Sequence, residues 1–150
     1  MFASILIIAV SLALFVYWFR CTVLLILRTR TTTEYAAKVA AANQLGFVQA
    51  RQQLRGPSPS ADLGGLCRSL QHDYGVLKYL LGHAATVEGG GYTAEQRLLM
   101  MNFRMMAVVF WVASRIRPEA ARMALLEMSG VLEYFANVMG QRFAAHPARS

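Results

Sequence analysis

Leu12–Thr33, LALFVYWFRCTVLLILRTRTTT, holds one arginine, Arg20, inside what otherwise reads as a single long apolar helix. Working back from it, no charged side chain occurs between Met1 and Phe19, and the run is dominated by Ile, Leu, Val and Phe. At about 1.5 Å rise per residue, residues 2–19 cover roughly 27 Å as a helix, close to the ~30 Å hydrocarbon thickness of a bilayer. The pattern predicts a transmembrane anchor. Phe2, Ile5, Leu6, Ile8, Leu12, Phe15 and Phe19 supply its apolar surface, Tyr17 and Trp18 look like an interfacial belt, and Arg20 marks depth near the interface. A cleaved signal peptide would open with basic residues and end in small ones; here no Lys or Arg precedes the core, and bulky Tyr17–Phe19 stand where a cleavage site belongs.

Working forward, Val23–Leu27 are five consecutive apolar residues that cover every side of a helix. Two endings follow. Either the span stops near Arg20 and Val23–Leu27 are buried against protein, or the helix continues to about Leu27. The second is preferred: residues 2–27 make a helix of about 39 Å that fits a ~30 Å core when tilted by ~40°, with Arg20 snorkelling to the headgroups. Arg20, Arg28, Arg30 and Lys38 follow the span with no basic side chain before it. The positive-inside rule therefore predicts a single pass, N-terminus outside and the rest cytoplasmic, which in a Gram-negative cell means the inner membrane.

Beyond the anchor (residues 1–30) the expectation is an all-α chain: a juxtamembrane helix over 31–55, a linker over 56–65, a helical domain over 66–143 and a disordered tail over 144–150. The juxtamembrane helix rests on Ala-rich propensity, with Thr33 as its N-cap. RGPSPSADLGG, Arg55–Gly65, is the clearest break, with prolines, glycines and small polar residues. Leu66, Leu70, Val76, Leu77, Leu80 and Leu81 have helical spacing and leave Arg68, Asp73 and Lys78 for another face. VEGGGY ends that helix. Thr93-Ala94-Glu95-Gln96 is a capping-box pattern, and Pro118-Glu119 is a helix start. Leu125, Leu126, Met128, Val131, Leu132, Phe135, Val138 and Met139 form a broad apolar stripe on the last helix. The chain thus reads as one span followed by about four helices, the last three a small bundle.

Leu98–Ile116 has two readings. Its length approaches that of a second span, but Asn102 and Arg104 fall near the middle, where an arginine costs about 2.5–3.5 kcal/mol on insertion scales. The short uninterrupted run Met105–Ala113 favours a buried helix of a soluble domain; a membrane-embedded or membrane-lying helix is the alternative.

Catalytic chemistry is sparse. Eight acidic residues and three histidines form no metalloprotease, nucleophile-elbow, Walker or zinc pattern. EGGGYT, Glu88–Thr93, precedes a helix but lacks the strand and lysine of a phosphate loop, so it reads as a turn. His72 and His83 lie eleven apart and so share a helix face, without the opposing histidines a haem pair needs. Seven of the eight methionines fall between Met100 and Met139, where Met suits irregular cores and adaptable docking grooves better than Cu(I), given the lack of adjoining His or Cys. Cys21 and Cys67, far apart and outside any CxxC, read as structural thiols. No cofactor is expected.

Charge is unevenly distributed along the chain. Residues 20–55 carry six basic side chains and one acidic, net +5; residues 97–117 carry four basic and none acidic, net +4. The first block adjoins the membrane. In the second, Arg97, Arg104 and Arg115 are seven and eleven apart and form one helical stripe, a candidate contact for anionic lipid or an acidic partner. Nucleic acid fits poorly, since no aromatic platform or recognition motif accompanies these arginines. The expected function is that of a membrane-anchored, non-enzymatic accessory subunit or adaptor, whose partners are the bilayer and another membrane protein or a second copy. The alternatives are a small haem- or metal-binding redox protein using His72, His83 or the methionines, and an anionic-lipid-binding protein.

Overall fold

A computed structural model describes residues 1–29, 35–56, 62–87 and 89–145. Among them are six α-helices and no strands: α1 Phe2–Thr29, α2 Ala36–Ala42, α3 Phe47–Arg55, α4 Leu63–Val87, α5 Ala94–Ile116 and α6 Pro118–Ala145. They fall into two compact units, one containing α1 and the other α2 to α6. Thr33, Pro57, Pro59, Glu88 and the 146–150 tail, all used in the sequence reading, lie outside the described residues.

In the first unit the helix runs unbroken through Arg20, for 28 residues and about 42 Å. Its side chains from Met1 to Trp18 are uncovered, with Phe2 92% and Trp18 74% exposed, and Phe15 and Phe19 stack along it. Thr22 turns its hydroxyl back to donate to the Trp18 carbonyl at 2.9 Å, so this polar group is satisfied within the helix and needs no water.

The second unit is organised around α6. Residues 128–137 are buried without interruption, which a helix achieves only when it is enclosed on every side. α2, α3, α4 and α5 all pack against it. Leu125, Met128, Val131, Leu132 and Phe135 are fully buried, each worth about 1.5–3 kcal/mol of transfer free energy. The expected apolar stripe accounts for only part of this enclosure, because Leu126 and Val138 remain partly exposed whereas Ser129, Glu133 and Asn137 are buried.

Each of those residues has at least one polar partner, although Asn137 Nδ2 has none. Asn137 accepts the Ala36 amide through Oδ1 at 2.8 Å, capping the start of α2 from another helix. Glu133 forms an ion pair with Arg51 of α3, and Ser129 donates to the Leu126 carbonyl at 2.7 Å. Elsewhere on α6, Arg122 donates to the Leu54 carbonyl at 2.6 Å and to that of Gly56, closing the C-terminal end of α3. Glu127 accepts from Asn102 at 2.8 Å, and Tyr134 donates to Glu95 at 2.9 Å, which ties α5 at two levels. Gly140 lets Tyr35 approach so closely that a Cβ there would collide with the Tyr35 side chain.

Helix ends account for the departures from expectation. The juxtamembrane helix anticipated over 31–55 is two helices, α2 and α3. Gln44 adopts φ 54°, Leu45 N–H returns to the Ala40 carbonyl at 2.9 Å, and the Asn43 side chain donates to the Val39 carbonyl, so the Ala-rich helix stops at Ala42. α4 begins at Leu63 rather than Leu66. The Asp62 carboxylate lies close beside Gly65, and the Leu66 N–H donates to the Asp62 carbonyl at 3.0 Å. Its far end is a Schellman closure: Gly89, at φ 69°, and Gly90 donate to the Thr86 and Ala85 carbonyls at 3.2 and 3.0 Å. The glycine run therefore stops a helix. The Thr93–Gln96 capping box has both of its hydrogen bonds, and α6 begins at Pro118 with Glu119 in its first turn. α6 continues to Ala145, past the expected end at Phe143.

Candidate interaction surfaces

α5 divides into two halves that behave differently. Its buried residues, Gln96, Leu99, Asn102, Phe103 and Met106, all lie at or before Met106, and Phe103 stacks on Tyr74 of α4 with ring centroids 4.2 Å apart. Past Met106 the helix runs out of cover. Val108, Trp111 and Ile116 are 64, 60 and 72% exposed, and Val109 and Val112 are also exposed. The Met105–Ala113 run, expected as the buried part of a soluble-domain helix, is thus the less covered part. Hydrophobicity reports what favours burial, whereas coverage depends on where the neighbouring helices end. Val108, Val112, Ile116 and Ala120 border a shallow, wholly apolar groove of 360 Å³ at the α5–α6 corner.

Arg97, Arg104 and Arg115 are all exposed, as their shared helical stripe requires. Met101, Val108 and Trp111 lie between them on the same face. The Arg115 guanidinium sits 4.5 Å from the Trp111 ring centroid, a cation–π contact that keeps an arginine beside an apolar surface. Arg117, also exposed, adds a positive charge beside Arg115 at the corner. Ser114 is satisfied internally, donating to the Trp111 carbonyl at 2.9 Å. The arginine stripe was legible from spacing; Trp111 and Arg117 were missed, although Trp111 and Arg115 stand at i and i+4.

A second surface lies on α4. Gly75, Tyr79, Gly82 and His83 border a shallow groove of 690 Å³, closed at one side by Tyr92, whose hydroxyl donates to the Lys78 carbonyl at 3.2 Å. Tyr79 is 73% exposed and stacks on His83, with centroids 6.4 Å apart. A Cβ at Gly82 would meet the Tyr92 hydroxyl at 2.6 Å, so this glycine sets how closely Tyr92 lies on the helix.

The remaining chemistry-bearing residues are dispersed. His72 lies beside Asp73, with Nδ1 3.6 Å from Oδ1, and no group of three or more His, Cys, Asp or Glu able to hold a metal occurs among the described residues. Met106, Met128 and Met139 are buried in the core, while Met101 and Met123 are exposed. Cys67 is buried, and burial pushes its thiol pKa up; Cys21 is exposed on α1.

Asp73, expected on an open face, is instead 3% exposed. Its carboxyl faces the Gly46 and Phe47 amides at the start of α3, a helix whose N-cap position, Gly46, offers no side chain. Burial raises its pKa above the usual carboxylate value, opposed by His72 and by those two amides. Oδ2 has no hydrogen-bond partner. Tyr74 is likewise raised by burial, with the Arg104 guanidinium opposing.

No protein-family model, curated protein or solved structure matches this chain. Among the described residues two helices, Phe2–Arg28 and Ala94–Ile116, are long and apolar enough to cross a membrane. This favours membrane association of the chain.

Proposed function

We propose that this chain is a single-pass, membrane-anchored, non-catalytic accessory subunit or adaptor. α1 crosses the bilayer with its N-terminus outside, and α2 to α6 form a cytoplasmic interaction domain. The inner membrane of a Gram-negative cell is the setting that fits this orientation. The observation that carries the reading is α1: a 28-residue apolar helix with bare side chains from Met1 to Trp18 has no stable place in water. Arg28 in its last turn, followed by Arg30 and Lys38, supports the orientation.

The adaptor role draws on the α4 groove. An exposed Tyr79 stacked on His83 and flanked by Gly75 and Gly82 offers a partner helix an aromatic anchor beside a low, open surface. The test is extraction of the full chain from native membranes. It resists alkaline carbonate and, after mild detergent, migrates in an assembly larger than itself that Tyr79→Glu disperses. A lone monomer, unchanged by Tyr79→Glu, overturns the adaptor reading, and release by carbonate overturns the anchor.

A further inference from the structure

The α5–α6 corner combines three features that a water-facing surface has no reason to keep together. First, it is apolar and uncovered: Val108, Trp111, Val112 and Ile116 are all exposed over the last turns of α5. Second, it is positive: Arg115 and Arg117 stand at it, and no acidic residue occurs between Glu95 and Glu119. Third, its polar groups are already provided for, since Ser114 bonds back to the Trp111 carbonyl and the Arg117 amide closes on Ala113 at 2.7 Å.

We infer that this corner lies in the headgroup layer of an anionic bilayer, with Trp111, Val108, Val112 and Ile116 reaching the acyl boundary and Arg115 and Arg117 on lipid phosphates. The inference rests on α1 as the membrane anchor for the proximity of a bilayer. A second copy is disfavoured as occupant, because pairing two such corners sets Arg115 and Arg117 of one copy against the same two arginines of the other. An apolar protein surface would desolvate the same guanidinium groups without compensation. The interfacial layer offers both requirements within a few ångströms: phosphates for Arg and a hydrocarbon edge for Trp and Val.

The depth is bounded by the other half of the helix. A full crossing by α5 would strip the Asn102–Glu127 hydrogen bond and the Phe103–Tyr74 stack out of the bundle. Only residues 107–116 are available, about 15 Å of helix and half the hydrocarbon core, so the corner enters and does not span. Trp111 over Arg115 is suited to that shallow level, with the ring at the boundary and the guanidinium directed to the phosphates.

The experiment uses the full chain carrying Trp18→Phe, which leaves Trp111 as the sole tryptophan, reconstituted into phosphatidylglycerol-containing vesicles. Trp111 emission is expected to be blue-shifted, and quenched more by lipids brominated near the glycerol than by those brominated near the chain end. Substituting phosphatidylcholine throughout, or introducing Arg115→Gln and Arg117→Gln, weakens the quenching, by about fivefold in the insertion equilibrium per arginine removed. Emission at the aqueous position without quenching overturns the inference. So does a blue shift insensitive to bromine, which means a protein covers the ring, or quenching strongest near the bilayer centre, which means α5 spans. Carbonate release from vesicles together with quenching at neutral pH removes the anchor while leaving the corner's lipid contact standing.

Discussion

The Arg51–Glu133 pair joins α3 to the centre of α6, and its coupling is measurable. The Glu133 side chain is 9% exposed and that of Arg51 24%. Arg51→Met leaves a carboxylate enclosed by the bundle, and breaking a buried pair from one side costs about 3–5 kcal/mol. About 3 kcal/mol, the lower end, is expected, since the Glu133 side chain keeps a narrow opening to water. Glu133→Leu leaves a guanidinium that still reaches water at its exposed quarter, so the cost falls to about 2 kcal/mol. The double variant replaces both charges with apolar groups of similar volume and is expected within about 1 kcal/mol of the parent. The two single losses therefore fail to add by about 4 kcal/mol. Urea titration of the full chain in mild detergent, followed by circular dichroism at 222 nm, reads the cycle. With a slope near 1.5 kcal/mol/M, Arg51→Met shifts the midpoint by about 2 M. A double variant whose loss equals the sum of the singles would refute the assignment, because the two side chains would then be stabilising the domain independently.

Asp73 supplies a pH signature. A carboxyl whose folded pKa is raised binds its proton more readily in the folded state. The domain therefore gains stability as pH falls from neutral through that raised value, and the gain is complete below the unfolded value of 3.8. Asp73→Asn removes this component, so the stability difference between parent and variant changes with pH in that window; parallel profiles would show that Asp73 does not titrate differently on folding. Gly140→Ala places a methyl against Tyr35 and is expected to cost about 1–3 kcal/mol, whereas the same change at Gly75, where a Cβ meets nothing within 4 Å, is neutral or stabilising. Equal effects at the two glycines would remove the close approach as the cause.

What could be read from the sequence alone follows a physical divide between local and distant causes. The α5 start, the Pro118 start and the unbroken run of α1 are each specified by residues a few positions apart, and their signals survive in one dimension. The α2–α3 break was hidden because it uses Gln44, a non-glycine residue, in a left-handed conformation, in a segment where alanine propensity argues for continuity. Asp73 and Glu133 look like solvent-facing charges until their partners at the start of α3 and on Arg51 are known. For the candidate site, helical periodicity placed the three arginines on one face. Nothing local reports that the bundle stops short of Val108 and leaves that face bare.

The central position of α6 also dictates an order of events during synthesis. The Ala36 amide and the Asn137 side chain that caps it are separated by 101 residues of sequence. α2, α3, α4 and α5 therefore all leave the ribosome before the helix on which each of them buries its apolar side, and the entropy of closing so long a loop falls due before the contacts that offset it exist. The domain is obliged to wait, partly structured and with its greasy faces open, until α6 arrives. Translation speed through the α5–α6 segment and access to chaperones thereby become determinants of yield, and pulse-chase protease resistance should appear only in nascent chains that expose α6 in full.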